Sequence, residues 1–297
     1  MKNKYGIYDL TPVEEYDGIY FKRDDLFKPF GRFRSCHKLY NQINGGKVRQ
    51  CLTLLLSNRK QIISSFNRTV ATATSVSSPQ GTIVSRVAKE LGFKSIIGIG
   101  GTTVEKALSN YRTIRIAKKL GSEIKVVSEH YGFNNVLYSR LKTLAKERPM
   151  FLVAFGMNVS SDRKSIIDVT AHQVKNIPEF IDTMVVIVGS GLTFSGIMSG
   201  VLRYKLKLKK IIAIQPFGHD RRPVIYSGIG LPRFCYKFKY YSGKYSYSKA
   251  LHINVGFELD NIYESKAYDF MIREKLIDKK KDKVCFWVVG NANIIRG

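Results

Sequence analysis

The chain has 297 residues, 44% of them hydrophobic, which is enough for one large globular domain or two smaller ones. No apolar run approaches the ~18 to 20 residues that span a bilayer, and no apolar secretion signal follows residues 1–5, so we expect a cytoplasmic protein that does not bind membranes. The formal charge of +26 would suit nucleic acid, but lysine and arginine are spread along the whole chain. We therefore expect only non-specific attraction to nucleic acid.

The cysteines do not predict a metal site or a disulfide framework. The four of them form no CxxC pair and have no metal-ligand spacing with the five histidines. The sequence predicts free thiols at Cys36, Cys51, Cys235 and Cys285.

Strand-like and helix-like segments alternate along the chain. The predicted strands are, in chain order, 19–22, 62–66, 95–99, 123–127, 151–155, 185–188, 211–215 and 284–289. The predicted helices are 48–56, 80–91, 111–120, 165–174, 197–204 and 267–276. This alternation predicts an α/β protein with mainly parallel sheets flanked by helices, in which ligands bind at the carboxyl ends of the strands.

Two glycine-rich turns are candidates for that edge of a sheet. The β-branched run 185–188 stops at the sequence GSGLT (189–193), and a helix-compatible segment follows. Glycines let a backbone approach an anion closely, and the amides at a helix N-terminus point toward it. A turn without a ligand would look the same in isolation. The second turn, 44–47, ends in Lys47.

Five segments in order resemble the fold-type II pyridoxal-phosphate enzymes, in particular the group of 1-aminocyclopropane-1-carboxylate deaminase and D-cysteine desulfhydrase. They are TPV (11–13) with IYFKRDDL (19–26), GGKVR (45–49), SSPQ (77–80), GSGLT (189–193) and IYESKA (262–267). The resemblance implies the two-domain, tryptophan synthase β-like fold. It implies a small domain at 50–159 and a large cofactor-binding domain formed by 1–49 and 160–297. It also implies the cofactor pyridoxal 5'-phosphate, a small amino-acid substrate and a homodimer.

The resemblance also assigns roles to individual residues. Lys47 would bond to the cofactor aldehyde and move the substrate's α-proton. Ser78 and Gln80 would hold the substrate carboxylate, and Glu264 would face the ring nitrogen. Tyr263 would stack, donate a proton or act as a nucleophile. The cofactor phosphate would be bound by Gly189, Ser190, Gly191, Leu192 and Thr193.

The sequence departs from the family's pattern beside two of these residues. The family usually has asparagine where this chain has Pro79, and that amide would contact the cofactor's phenolic oxygen. The asparagine that commonly precedes the family's lysine is replaced by Gly46. We therefore expect a substrate other than the cyclopropane amino acid. Lys38 is a rival to Lys47, but it lacks a flanking glycine pair.

The expected function is a lyase or deaminase reaction on a small amino acid, by ring opening or β-elimination. Two alternatives remain open: another reaction in the same fold, such as β-replacement or racemisation, and a nucleic-acid-binding protein built on a degenerate enzyme scaffold. The Tyr- and Lys-rich stretch 236–247 would suit single-stranded nucleic acid, or a basic loop that covers the active site.

Overall fold

The computed structural model describes residues 2–30, 42–230, 236–290 and 292–296. Ten strands are described: β1 (Val13–Tyr16), β2 (Ile19–Arg23), β3 (Thr69–Ala73), β4 (Lys94–Gly100), β5 (Glu123–Ser128), β6 (Phe151–Val153), β7 (Thr183–Ile187), β8 (Lys210–Gln215), β9 (Lys239–Ser242) and β10 (Val284–Val288). The described α-helices are α1 (Gly46–Ser57), α2 (Arg59–Ser65), α3 (Gln80–Leu91), α4 (Val104–Asn110), α5 (Arg112–Lys119), α6 (Asn134–Glu147), α7 (Arg163–His172), α8 (Leu192–Arg203), α9 (Arg222–Ile229), α10 (Glu264–Arg273) and α11 (Asn293–Arg296).

The strands form two sheets. One has the order β1-β2-β10-β7-β8-β9 and is parallel except for the β1–β2 pair; the other has the order β5-β4-β3-β6 and is parallel throughout. This confirms the predicted fold class. The strands of the four-stranded sheet all lie within 50–159 and those of the six-stranded sheet all lie outside it. The domain boundaries themselves stay a prediction.

The predicted strand at 62–66 is wrong, because that segment belongs to α2. Only Ile62 of the α2 residues is fully buried and the adjacent Ile63 is 39% exposed, so α2 is a short helix at the surface with one apolar anchor. Asn67 and Arg68 then take positive φ angles and turn the chain into the strand β3, which is buried throughout. The helices α4, α6, α9 and α11 and the strands β1, β3 and β9 were not predicted.

Helices form much of the apolar core next to the four-stranded sheet. One buried cluster joins residues of α1, α3 and α7 to residues of β3 and β6, and it includes Leu192 at the start of α8. Cys51 and Cys285 are buried free thiols, while Cys36, Cys235 and Lys38 lie outside the described residues. Among the helices that are described, none has the length and hydrophobicity needed to cross a membrane.

Candidate active site

A cavity of about 150 Å³ lies where the carboxyl ends of the two sheets face each other. Its wall contains residues from both glycine-rich turns, from the loop before α3, from the turn after β6, and from the starts of α10 and α11. Nine of the ten residues singled out by the sequence line it; they are Lys47, Ser78, Gln80, Gly189, Ser190, Gly191, Thr193, Tyr263 and Glu264. The tenth, Leu192, is buried in the apolar core, so only its backbone could contact a ligand.

The turn that carries Lys47 is fixed by the ends of two strands. The amide of Gly46 donates to the carbonyl of Val289, just beyond β10, at 2.9 Å. A Cβ at position 46 would lie 2.3 Å from Asp24 Oδ2, so this close approach requires glycine. Asp24 in turn forms a buried ion pair with Arg49 of α1 at 3.0 Å. Asp24, which belongs to the KRDD sequence (22–25), therefore packs against the lysine turn and helps to hold it in place.

Lys47 faces the GSGLT loop. Its Nζ donates to Gln50 Oε1 at 2.8 Å and lies 3.4 Å from the carbonyl of Gly156 and 3.5 Å from Ser190 Oγ. Gln50 also donates to Thr193 Oγ1 at 3.1 Å, which ties the lysine turn to the start of α8. Burial lowers the pKa of Lys47 to about 8. A larger share of this amine is therefore uncharged and nucleophilic near neutral pH than in an exposed lysine.

Within the GSGLT loop, Gly191 is the N-cap of α8, and Leu192 and Thr193 are the first two residues of that helix. The first amides of a helix have no partner within the helix and attract anions. The ring of Tyr263 covers the other side of the loop, since a Cβ at Gly189 would lie 3.3 Å from its Cε1 atom. The loop therefore offers backbone amides to an anion in the cavity, a few ångströms from the Lys47 amine.

Glu264 is the first residue of α10 and is 3% exposed. Its Oε1 accepts from the amides of Val289 at 3.1 Å and Gly290 at 3.3 Å. Burial, together with the nearby Asp260 carboxylate, raises the pKa of Glu264 well above its usual range, although the two amides oppose this shift. Such a carboxyl can share a proton with a basic nitrogen placed in the cavity.

The structure gives Gln80 a different set of partners from the one expected. Its Nε2 donates to Thr72 Oγ1 at 2.8 Å and to the carbonyl of Ala154 at 3.1 Å, and its Oε1 accepts from the amide of Gly156 at 2.7 Å. The side chain thus fixes the turn after β6, whose carbonyl faces Lys47. Ser78 caps the next turn by accepting from the amide of Gln80 at 3.3 Å, and Pro79 forms the N-cap of α3. That Ser78 or Gln80 contacts a substrate stays a prediction.

Asp260 and Arg296 also line the cavity, and the sequence did not reveal them. Asp260 Oδ1 accepts from the amides of Ile262 and Tyr263, while Oδ2 accepts from the amide of Ala292 and pairs with Arg296 at 2.7 Å. The carboxylate fixes both Tyr263 and α11. No local motif marks this pair, because its members are 36 residues apart.

Gly156 also lines the cavity, and the sequence did mark this residue, as the glycine that ends the predicted strand 151–155.

Gly156 provides a test of how closely the walls of the cavity pack. Gly156→Ala should lower the free energy of unfolding more than Gly92→Ala does. We expect a difference of about 1 to 3 kcal/mol, because overpacking costs about that much. Both glycines have similar positive φ angles, +67° and +71°. A Cβ at 156 would lie 2.3 Å from Ser190 Cβ, whereas no described atom lies within 4 Å of one at 92. Denaturant unfolding measures the difference, and equal costs would contradict the close contact with Ser190.

Comparison with known proteins agrees with this geometry. No family model matches the chain. A curated relative, the O-seryl-dTMP PLP-dependent decarboxylase of Salmonella phage ViI, is 26% identical over 224 residues, which are 70% of this chain and 50% of the relative. The chain thus spans about half the length of the curated relative it matches.

Solved structures identify the fold. A crystal structure of an ACC deaminase homologue superposes with a TM-score of 0.70 at 19% identity, covering 95% of this chain and 89% of the other. O-acetylserine-dependent cystathionine β-synthase from Helicobacter pylori superposes with a TM-score of 0.64 at 15% identity, covering 99% and 95%. The chain has the fold of the fold-type II pyridoxal-phosphate-dependent enzymes, as the resemblance predicted.

Proposed function

We propose that this protein is a pyridoxal-phosphate-dependent enzyme that breaks a bond at the α-carbon of an amino acid. The observation that carries the proposal is the placement of Lys47 Nζ in one cavity with the GSGLT loop and the carboxyl of Glu264. The cavity contains a nucleophilic amine for an aldehyde, amides for a phosphate and a carboxyl for a ring nitrogen. When bound, the cofactor would supply an electron-accepting ring that makes cleavage at the α-carbon possible.

The protein's own residues would perform three tasks. Lys47 would hold the cofactor in the resting protein and afterwards transfer a proton at the substrate's α-carbon. The amides of 189–193 would bind the phosphate. Glu264 would share a proton with the ring nitrogen. Pro79 supplies no side-chain donor, so the cofactor's phenolic oxygen would need another partner.

The reaction that we favour is decarboxylation of an amino acid joined to a nucleotide. The observation that supports this choice is the curated relative, which is an O-seryl-dTMP decarboxylase. In this reaction the carboxylate leaves as CO2, the bonding electron pair stays at the α-carbon, and a proton replaces the carboxylate there.

A second candidate is the deaminase or β-elimination reaction expected from the sequence. It is favoured by the fold shared with an ACC deaminase homologue and by a lysine able to remove an α-proton. Racemisation and β-replacement belong to the same class of chemistry. The nucleic-acid-binding protein without catalysis is not favoured, because the cavity retains the lysine, the glycine loop and the carboxyl.

A substrate panel separates these candidates. The cofactor-loaded protein would be incubated with O-seryl-dTMP, D- and L-serine, D-cysteine and 1-aminocyclopropane-1-carboxylate. CO2, ammonia, sulfide and 2-oxo acids would be measured. We expect CO2 from O-seryl-dTMP without ammonia. Ammonia with 2-oxobutanoate from the cyclopropane amino acid would instead establish the deaminase reaction, and release of none of these products would contradict both.

The role of Glu264 can be tested by an isosteric change. Glu264→Gln keeps an oxygen that can accept from Val289 and Gly290, so the cofactor should still bind. Turnover should fall about 10- to 100-fold, the equivalent of about 1.5 to 3 kcal/mol for a lost hydrogen bond to a charged group. Solvent deuterium incorporated at the product's α-carbon measures the rate. Glu274→Gln, at the exposed end of α10, is the control, and an unchanged rate in Glu264→Gln would mean that the ring nitrogen has another partner.

A further inference from the structure

Three aromatic rings form a cluster that leads away from the cavity. Tyr263 lines the cavity, Phe217 follows β8, and Tyr247 follows β9. The ring centroid of Phe217 is 5.0 Å from that of Tyr263 and 5.0 Å from that of Tyr247, and the two tyrosine centroids are 6.2 Å apart. All three side chains are partly exposed. We call Phe217, Tyr247 and Tyr263 the aromatic platform.

Core packing does not account for the outer two rings. Along 236–240 the aromatic residues Tyr236, Phe238 and Tyr240 pack against the buried core, while Lys237 and Lys239 are exposed, as the two-residue period of a strand requires. Much of the Tyr- and Lys-rich stretch is therefore structural. Phe217 and Tyr247, by contrast, belong to none of the hydrophobic clusters found in the described chain.

The two loops that carry these rings are held by buried polar side chains. Gln215 donates through Nε2 to the carbonyls of Phe217 at 2.9 Å and His219 at 2.7 Å. The buried Lys266 of α10 donates to the carbonyl of Ser246 at 2.7 Å, and its Nζ lies 5.3 Å from the centroid of Phe217. The rings are thus positioned before any ligand arrives, which lowers the entropic cost of binding.

Cationic side chains occur near two members of the aromatic platform. The guanidinium of Arg296, which is paired with Asp260, is 5.8 Å from the ring centroid of Tyr263, at the cavity wall. The exposed Lys244 and Lys249 flank Tyr247 in sequence. Aromatic faces bordered by cations are suited to a ligand that is both flat and anionic.

We propose that the aromatic platform binds the nucleobase of a nucleotide joined to the amino-acid substrate, with the nucleotide phosphate toward the exposed Lys244 and Lys249. The amino-acid end would then enter the cavity past Tyr263 toward Lys47. This inference rests on the proposed nucleotide-linked substrate. It adds a base-binding site outside the residues that hold the cofactor, and it gives a function to Tyr247.

Calorimetric titration of the cofactor-loaded protein with thymidine 5'-monophosphate tests the proposal. Tyr247→Ala and Phe217→Ala should each weaken binding about tenfold, within the range measured when one stacking side chain is removed. Tyr247→Phe should restore it, because the ring face remains. Tyr131→Ala, which removes a ring that is 57% exposed and lies in the other sheet's loops, should have no effect.

Two further ligands identify what is recognised. Deoxyribose 5-phosphate carries the phosphate without the base and should bind far more weakly than the nucleotide. A single-stranded oligothymidylate, titrated in parallel, shows whether the protein prefers a free nucleotide or a nucleotide within a strand. For whichever of the two binds more tightly, a loss of affinity in Tyr247→Ala supports base stacking. Absence of nucleotide binding, equal binding of deoxyribose 5-phosphate, or unchanged affinity in both alanine variants would overturn the proposal.

This outcome is independent of the reaction. The visible absorbance of the lysine-bound cofactor should be the same in Tyr247→Ala and in the unaltered protein, which reports an intact cofactor site. If nucleotide binding depends on the aromatic platform but O-seryl-dTMP yields no CO2, the decarboxylase proposal fails and the base site stands. If CO2 is released and the alanine variants bind the nucleotide normally, the decarboxylase proposal stands and the base-binding site is ruled out.

Discussion

Lys47→Ala should abolish the visible absorbance of the bound cofactor and lower turnover by at least about 10²- to 10⁴-fold, the usual contribution of a positioned acid–base group. The reason is that Lys47 alone places an amine within 3.5 Å of both the Gly156 carbonyl and the Ser190 hydroxyl among the cavity residues described. Among the residues that the structure describes, no other lysine lines the cavity to replace it. Absorbance after reconstitution with the cofactor, followed by the product assay, measures both effects.

Lys106→Ala is a suitable control, because Lys106 is exposed on α4 and does not line the cavity. It should reconstitute normally. A Lys47→Ala protein that still develops the absorbance band would show that another amine captures the aldehyde. Lys38 would then be examined in the same way.

Cofactor capture should also depend on pH in a defined window. Burial lowers the pKa of Lys47 to about 8, against about 10.4 for an exposed lysine. Only the uncharged amine attacks an aldehyde, so the rate should rise about tenfold per pH unit below pH 8 and level off above it. Stopped-flow absorbance from about pH 6 to about pH 10.5 would measure this rate. A rate still rising steeply above pH 9 would contradict the lowered pKa.

Asp260→Ala should be the most destabilising change at the cavity wall, with a loss of about 3 to 5 kcal/mol of unfolding free energy. Its carboxylate is 2% exposed and pairs with Arg296, whose side chain is 12% exposed. Removing it leaves a buried cation without its anionic partner and three backbone amides without their acceptor. Denaturant unfolding measures the loss.

Asp220→Ala provides the matched comparison. Asp220 pairs with Arg222 at 2.8 Å, but both side chains are about half exposed. Exposed ion pairs contribute little, and Asp220 accepts from one backbone amide, that of Arg222, where Asp260 accepts from three, so this variant should lose only about 1 kcal/mol of unfolding free energy. Equal losses for the two aspartates would mean that Asp260 is not the buried anchor described above.

The local parts of the fold followed from local patterns. The helix α3 and its end at Gly92 could be predicted, because apolar residues at helical spacing followed by a glycine specify both. The segment 62–66 could not, since a short apolar pair fits either a strand or one face of a helix. In the structure it forms the end of α2, and the positive φ angles of Asn67 and Arg68 then separate it from the strand β3.

The sequence by itself determined most of the alternation of helices and strands, the glycine-rich loop that begins α8, and the glycine turn that carries Lys47, because each depends on neighbouring residues. Only the tertiary structure decided that Gln80 holds the Gly156 turn, that Asp260 anchors Arg296, and that Phe217 meets Tyr247. The physical reason is that these contacts join residues about 30 to more than 70 positions apart. Strand order and helix packing bring them together, and no local spacing encodes that arrangement.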